Sequence, residues 1–360
     1  MIYLLLFAGV FMGWSLGTND AANAFGTAVS TGVIKYRTAV IIIAVMVIAG
    51  AVLMGEGNIG KVNDLAVIND VSASEEKVAE AEAADLASGT DTAMKELRLK
   101  SALKAFIVFT CAAVTVFIMS YLGFPVSANQ SITGAIVGWG LFHANYGDPS
   151  VRGVALSKLG QFASTWLLNP LGAGIISFVL VFFVTKFLED KITKAKSYKK
   201  IITLGYLCAG AFSAFSIGMN SSANVTALYY DFTAKGANLL TNAQLTATIG
   251  GIAIAVGVLT YSKRVMMTVG SSIADITEVS GFVVIIAMAL TIVIMGTWMG
   301  IPVSTSQAVV GAVVGAGLVK GAKHVHFGVF KNIAIAWVSS PTAAGLLTWL
   351  VALATQGYFK

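Results

Sequence analysis

The chain has 360 residues, of which 57% are hydrophobic and only 11% charged, against roughly a quarter charged in an ordinary soluble domain. A water-soluble core of this size could not cover so much apolar surface, so the composition excludes a soluble enzyme or binding domain and places the chain in a bilayer. The formal net charge of +6 comes mainly from short loops, which fits a positive-inside membrane protein and excludes a nucleic-acid binder, whose basic residues would form a patch on a soluble domain.

In chain order, Met1 to Leu16 is apolar but lacks a basic leader region. Although Ala22-Asn23-Ala24 mimics a cleavage site, the segment reads as a retained first helix. Uncharged runs then cover 38–55, 105–142, 159–185, 201–230, 236–262, 279–319 and 332–359. They are solid apolar runs and not the alternating pattern of an outer-membrane barrel, so the expected fold class is an all-α membrane protein. One crossing needs about 20 residues. The runs at 105–142 and 279–319 hold 38 and 41 residues, about 57 and 61 Å of straight helix at 1.5 Å per residue. Each must break or turn back inside the membrane. The expectation is ten to twelve membrane-embedded segments, some of them discontinuous or re-entrant half-helices.

Two polar segments interrupt the runs. Residues 70–100 hold Asp70, Glu75, Glu76, Glu80, Glu82, Asp85, Asp91 and Glu96 in an Ala-rich context, the pattern of a solvated helix. Lys186 to Lys200 carries six lysines against Glu189 and Asp190, which places that segment in the cytoplasm. Cys111 and Cys208 both lie in apolar runs, so no disulfide framework or cysteine-rich metal site is expected. His143, His324 and His326 stand near run ends without metal-ligand company.

The chain repeats itself. Residues 123–140 (GFPVSANQSITGAIVGWG) and 300–317 (GIPVSTSQAVVGAVVGAG) are identical at ten of eighteen positions, and 8–24 and 209–225 at eight of seventeen. Trp166 and Pro170 are echoed by Trp337 and Pro341. All three pairs occur in the same order, so the halves are 1–185, with its acidic solvated insertion at 70–100, and 201–360, joined by the basic cytoplasmic linker 186–200. Read as inverted repeats, they place both termini outside.

The motifs carry the chemistry. Gly17-Thr18-Asn19-Asp20 leads to Asn23, and Gly218-Met219-Asn220-Ser221 leads to Asn224. An Asp in hydrocarbon costs roughly 2.5–3.5 kcal/mol and marks a functional site by default. Its carboxylate, with amide oxygens four residues apart on one helix face, suits a small hard cation such as Na⁺. Small polar residues also let membrane helices pack closely, which is the competing use of this motif. In the other pair, Gly123-Phe124-Pro125 and Gly300-Ile301-Pro302 break the two overlong runs. Each break is followed by polar residues: Ser127, Asn129, Gln130, Ser131 and Thr133, then Ser304, Thr305, Ser306 and Gln307. A half-helix starting inside the membrane offers free backbone N–H groups and its positive dipole end, an anion site without a cationic side chain. Asp275 and Glu278, with Glu56 and Asp64 near the matching place in the first half, fit helix ends at the interface as well as a further cation site. No phosphate-binding loop, nucleophile–base pair or nucleotide fingerprint is present, so no enzyme is expected.

With these motifs in place, and above all GTNDAANAFGTAVSTG at 17–32, the chain resembles the inorganic phosphate transporter family over its whole length. That family carries G-x-N-D-x-x-N-A in its first half and a related copy in its second. The resemblance implies a symporter with inverted repeats that moves phosphate with Na⁺ or, in some members, H⁺. It assigns Asp20 and Asn23 to the first motif and Asn220 and Asn224 to the second, where Ser221 replaces the usual Asp and bears on the ion count. The expectation is therefore sodium-coupled phosphate symport by alternating access, in a multi-pass protein of the cell membrane. Asp20, Asn19, Asn23, Asn220, Ser221 and Asn224 would hold the co-transported Na⁺. Ser127, Asn129, Gln130, Ser304, Thr305, Ser306 and Gln307 would ring the phosphate. Sulfate transport, proton coupling and an anion channel are the alternatives. Phosphate, sodium and the bilayer are the expected partners, with no nucleic acid and room for a homo-oligomer.

Overall fold

A backbone in hydrocarbon has no water to bond to and must satisfy its own N–H and C=O groups, which favours helices. The computed structural model describes residues 2–55, 85, 92–146, 150–194, 196–234, 243–292, 294–295 and 304–358. Among them the regular elements are helical, apart from an isolated bridge between Ala274 and Val325. In chain order these are α1 (Ile2–Ser30), α2 (Tyr36–Met54), α3 (Thr92–Leu122), α4 (Ala128–Tyr146), α5 (Ser150–Phe187), α6 (Glu189–Thr193), α7 (Tyr198–Ala234), α8 (Ala243–Tyr261) and α9 (Lys263–Met267). A π-helical turn at Thr268–Ser272 then leads to α10 (Glu278–Thr291), α11 (Thr305–Val319) and α12 (Phe327–Ala354). Most of the acidic insertion, with Glu56 and Asp64, lies outside the described residues, and 92–100 forms the start of α3.

Among the described residues, six helical stretches are long and apolar enough to cross a membrane: 36–54, 102–122, 166–187, 198–222, 244–261 and 327–354. Their outward faces are greasy. On α5, Leu167, Leu171, Ile175, Phe178 and Phe182 form an exposed stripe at helical spacing, which in water would invite aggregation and in a bilayer meets acyl chains. The polar residues point the other way. Ser15, Thr18, Asn19, Asp20, Asn23 and Thr27 of α1 are all buried, as are Ser127, Gln130, Ser131 and Thr133 around α4 and Ser306 and Gln307 of α11.

Helices in lipid gain little from apolar burial against one another, so close backbone approach does the holding. The partners here are reciprocal: α1 lies against α8 and α2 against α7, while α4 lies against α12 and α5 against α11. A Cβ on Gly17 of α1 would collide with the carbonyl of Ile254 in α8, and one on the repeat-related Gly218 of α7 with that of Val47 in α2. Each half thus packs its motif helix on a helix of the other half.

The first overlong run breaks where its sequence says it should. Gly123 takes a φ of 85°, open to glycine without strain, and the Phe124 N–H turns back to Met119 O at 2.9 Å. The chain is then irregular until α4 begins at Ala128. In the second run α10 ends at Thr291 and α11 begins at Thr305; the break residues 300–303 lie outside the described ones. Pro170 and Pro341 sit inside α5 and α12 without ending them.

Candidate functional site

The break at 123–127 strips two turns of their helical hydrogen bonds, and α1 supplies replacements. Asn19 Nδ2 donates to Ser120 Oγ (2.9 Å) and to Phe124 O (3.0 Å), and its Oδ1 accepts from Val126 N–H (3.1 Å). Trp337 Nε1–H of α12 donates to Pro125 O at 2.9 Å. The sequence reading placed Asn19 among the Na⁺ ligands; in the structure its amide is engaged with the broken backbone, which in hydrocarbon has no water to bond to.

One residue further along α1, about 100° round the helix, the carboxylate meets the other half. Asp20 is 6% exposed, and its Oδ1 accepts from Asn23 Nδ2 and from Ser306 Oγ, both at 3.2 Å. Asn23 Nδ2 also lies 3.0 Å from Thr305 Oγ1 and 3.3 Å from Ser306 Oγ. The first motif of the first half thus closes on the second motif of the second half, at the N-terminus of α11. Ser304 caps that helix with φ −93° and ψ 117°, its Oγ accepting from Gln307 N–H at 3.4 Å. A buried carboxylate, a helix N-terminus and small hydroxyl residues coincide here.

The buried acceptors and donors are not all met. Asn23 Oδ1 and both amide atoms of Gln130 and Gln307 have no partner among the described residues. The two glutamines face a different surface from Asp20. They line a mostly apolar crevice of about 1440 Å³ between α4, α5, α11 and α12, together with Trp166, Pro170, Trp337 and Pro341 and with Leu167, Leu171, Ile175 and Phe178 of the exposed α5 stripe. Its lining is repeat-symmetric, Gln130 answering Gln307 and Trp166 answering Trp337. Two whole amides with nothing to bond are costly to bury and fit a polar ligand or water between the half-helix starts.

The structure divides the expected site residues. Asp20, Asn23, Thr305 and Ser306 form one cluster, Gln130 and Gln307 line the crevice, and Ser127 and Ser304 stand at the starts of α4 and α11. Asn129 is exposed, with its carbonyl accepting from Thr133 Oγ1 at 2.8 Å. In the second motif Asn220 is exposed and Ser221 buried; among the described residues no hydrogen bond joins either to Asp20, and the Asn224 side chain lies outside them. Glu278 accepts from Tyr198 O–H at 2.7 Å, and Asp275 stands beside His324 at 3.4 Å, both at helix ends away from this cluster. The sequence reading missed Asn169 of α5, fully buried, whose Nδ2 donates to Ser304 O at 2.8 Å. Its signal was a polar residue just before a repeat-matched proline within an apolar run.

Comparison with known proteins gives the family. The model of the phosphate transporter family matches residues 16–348. Proteins named "Putative phosphate permease" from Pyrococcus horikoshii and Methanocaldococcus jannaschii are 26% and 27% identical, each match covering 97% of this chain and 96% of the relative. Another of that name from Haemophilus influenzae is 25% identical over 98% of this chain. A solved structure described as "The sodium-dependent phosphate transporter" shares the fold, with a TM-score of 0.68 at 22% identity over 99% of this chain and 98% of that one. The chain therefore belongs to the phosphate transporter family and is a multi-pass membrane transporter, not an enzyme.

Proposed function

We propose that this transporter is a sodium-coupled symporter of inorganic phosphate in the cell membrane, working by alternating access between two inverted repeats. The observation that carries the reading is the meeting of Asp20 and Asn23 of α1 with Thr305 and Ser306 at the start of α11. Asp20 neutralises Na⁺ together with the free Asn23 Oδ1. The N-termini of α4 and α11, with Ser127, Ser304 and the amides of Gln130 and Gln307, receive the phosphate.

Physics then links the two ions. A cation beside the positive end of α11 is disfavoured unless Asp20 and the anion are both there. The anion is disfavoured beside Asp20 unless a cation stands between them. Each ion raises the affinity of the other by the same factor, which is coupling. The reciprocal packing of α1 with α8 and α2 with α7, and of α4 with α12 and α5 with α11, supports the inverted-repeat reading.

The test is radiolabelled phosphate uptake into proteoliposomes, with and without an inward Na⁺ gradient, with a proton gradient as the other arm and sulfate as competitor. Uptake driven by Na⁺ and resistant to sulfate is expected. Uptake driven by protons alone, or equal competition by sulfate, would overturn the coupling or the substrate assignment respectively.

A further inference from the structure

Asn169 lies in α5, one residue before Pro170, inside the span 166–187, and is completely buried. Its Nδ2 donates to Ser304 O at 2.8 Å, a carbonyl that also accepts Ala308 N–H at 2.9 Å. Asn169 Oδ1 is buried with no hydrogen-bond partner among the described residues. Asn23 shows the same polarity from the other side. Its NH₂ group is spent on Asp20, Thr305 and Ser306, and its Oδ1 is left over.

Neither amide can be turned round to cure this. A backbone carbonyl and a carboxylate accept only, so the nitrogen of each asparagine must face them and the oxygen must be the free atom. Both side chains attach to consecutive residues at the head of α11, Ser304 and then Thr305 and Ser306. What remains there is an unmet need for a donor or a cation. The unprotonated oxygens of a phosphate are acceptors and would be repelled by these oxygens, and only a P–OH could donate to them, whereas a hard monovalent cation takes several neutral and charged oxygens at once. Gln130 and Gln307 differ, since their whole amides are unmet and offer N–H donors to an anion.

We propose that Asn169 is a cation-binding residue: its Oδ1 supplies a neutral oxygen to Na⁺ at the head of α11 from the α5 side, as Asp20 and Asn23 do from α1. This rests on the sodium-coupled reading above. The second half has no amide at the matching place, where Ser340 precedes Pro341, so this contribution belongs to one half only.

The experiment titrates Na⁺ into the purified full-length protein in nanodiscs without phosphate. It follows tryptophan fluorescence, for which Trp166 stands three residues from Asn169, and the thermal midpoint. In Asn169→Ala the Na⁺ midpoint is expected to rise about tenfold or more, the scale of one lost bond to a charged group. Phosphate KM at saturating Na⁺ should stay within about twofold of wild type, because saturation removes the linkage penalty. Asn169→Ser, which installs the residue that the other half tolerates before its own proline, should give a smaller rise, and it decides the matter if the alanine variant does not fold. A wild-type Na⁺ midpoint in both variants overturns the inference. So does a purely structural pattern, in which phosphate KM rises and the sodium-free thermal midpoint falls while the Na⁺ midpoint stays put. A wild-type protein indifferent to Na⁺ would instead sink sodium coupling itself, and this inference with it.

Discussion

Replacing Asp20 by Asn keeps the size of the side chain and removes its charge. In the structure Asp20 Oδ1 accepts two hydrogen bonds, from Asn23 Nδ2 and Ser306 Oγ, and an amide oxygen in the same place can still accept both. The local scaffold should survive. Burial of the carboxylate also costs roughly 2.5–3.5 kcal/mol on the membrane-insertion scale, so its removal should leave stability equal or higher. The loss falls on the ion. At an effective dielectric of about 20, a unit charge 4 Å away attracts Na⁺ by about 4 kcal/mol. Even half of that, about 2 kcal/mol, lowers Na⁺ affinity about 30-fold. Linkage passes the same factor to phosphate when Na⁺ is not saturating. Asp20→Glu should fail too, because the added methylene pushes the carboxylate out of register with Ser306. The assay is phosphate uptake into proteoliposomes across a Na⁺ series, with monodispersity and thermal midpoint checked alongside. Wild-type uptake with unaltered Na⁺ dependence in Asp20→Asn would refute the reasoning and make Asp20 a packing residue whose charge is merely tolerated.

Asn19 should behave in the opposite way. Asn19→Ala leaves Val126 N–H and Phe124 O without their partner, at about 1–3 kcal/mol for each buried group, so thermal unfolding should come several degrees lower while the Na⁺ midpoint of the folded fraction is unchanged. Ser127→Ala and Ser304→Ala each remove a hydroxyl at a half-helix start; calorimetric phosphate affinity in saturating Na⁺ should fall roughly 10- to 150-fold, for about 1.5–3 kcal/mol lost to a charged ligand. Unchanged affinity in both would move the anion elsewhere. A cysteine at Lys196, in a protein whose Cys111 and Cys208 have been replaced, should react with membrane-impermeant maleimide only from the cytoplasmic side; cysteines at Tyr3 and Tyr358 should react only from outside. Labelling of those two on opposite faces would contradict the inverted arrangement.

Much of this architecture is written in local patterns. The break after Leu122 could be placed from Gly123 and Pro125 because it depends on backbone preferences of the residues themselves. Asp20 and Asn23 could be singled out because an acid and an amide in an apolar run are conspicuous wherever they point. Asn19 could not be sorted from them. It belongs to the same motif, yet its partner Val126 N–H is 107 residues away, and no helical periodicity reveals which neighbour faces the break and which faces Thr305 and Ser306. Asn169 was lost for a similar reason: it lies inside an apolar run and acquires meaning only through Ser304, 135 residues later. The second motif is like the first in sequence and differs from it in burial. Asn220 aligns with Asn19, but the structure leaves it exposed.

The exchange of partners between halves sets a schedule for biosynthesis. Asp20 is made 286 residues before Ser306, the side chain that donates to it. At about 5–20 residues per second of translation, α1 waits about 15–60 s with its polar face unmatched. Over that interval Asn19 can already dock on Ser120 and Phe124, which emerge some hundred residues after it, whereas Asp20 and Asn23 have only each other. The nascent first half therefore has the Asn19 clasp and the Asn23 bond to Asp20, and lacks the Ser306 donor. A ribosome stalled in the second half would leave that buried carboxylate without its donor from the second half.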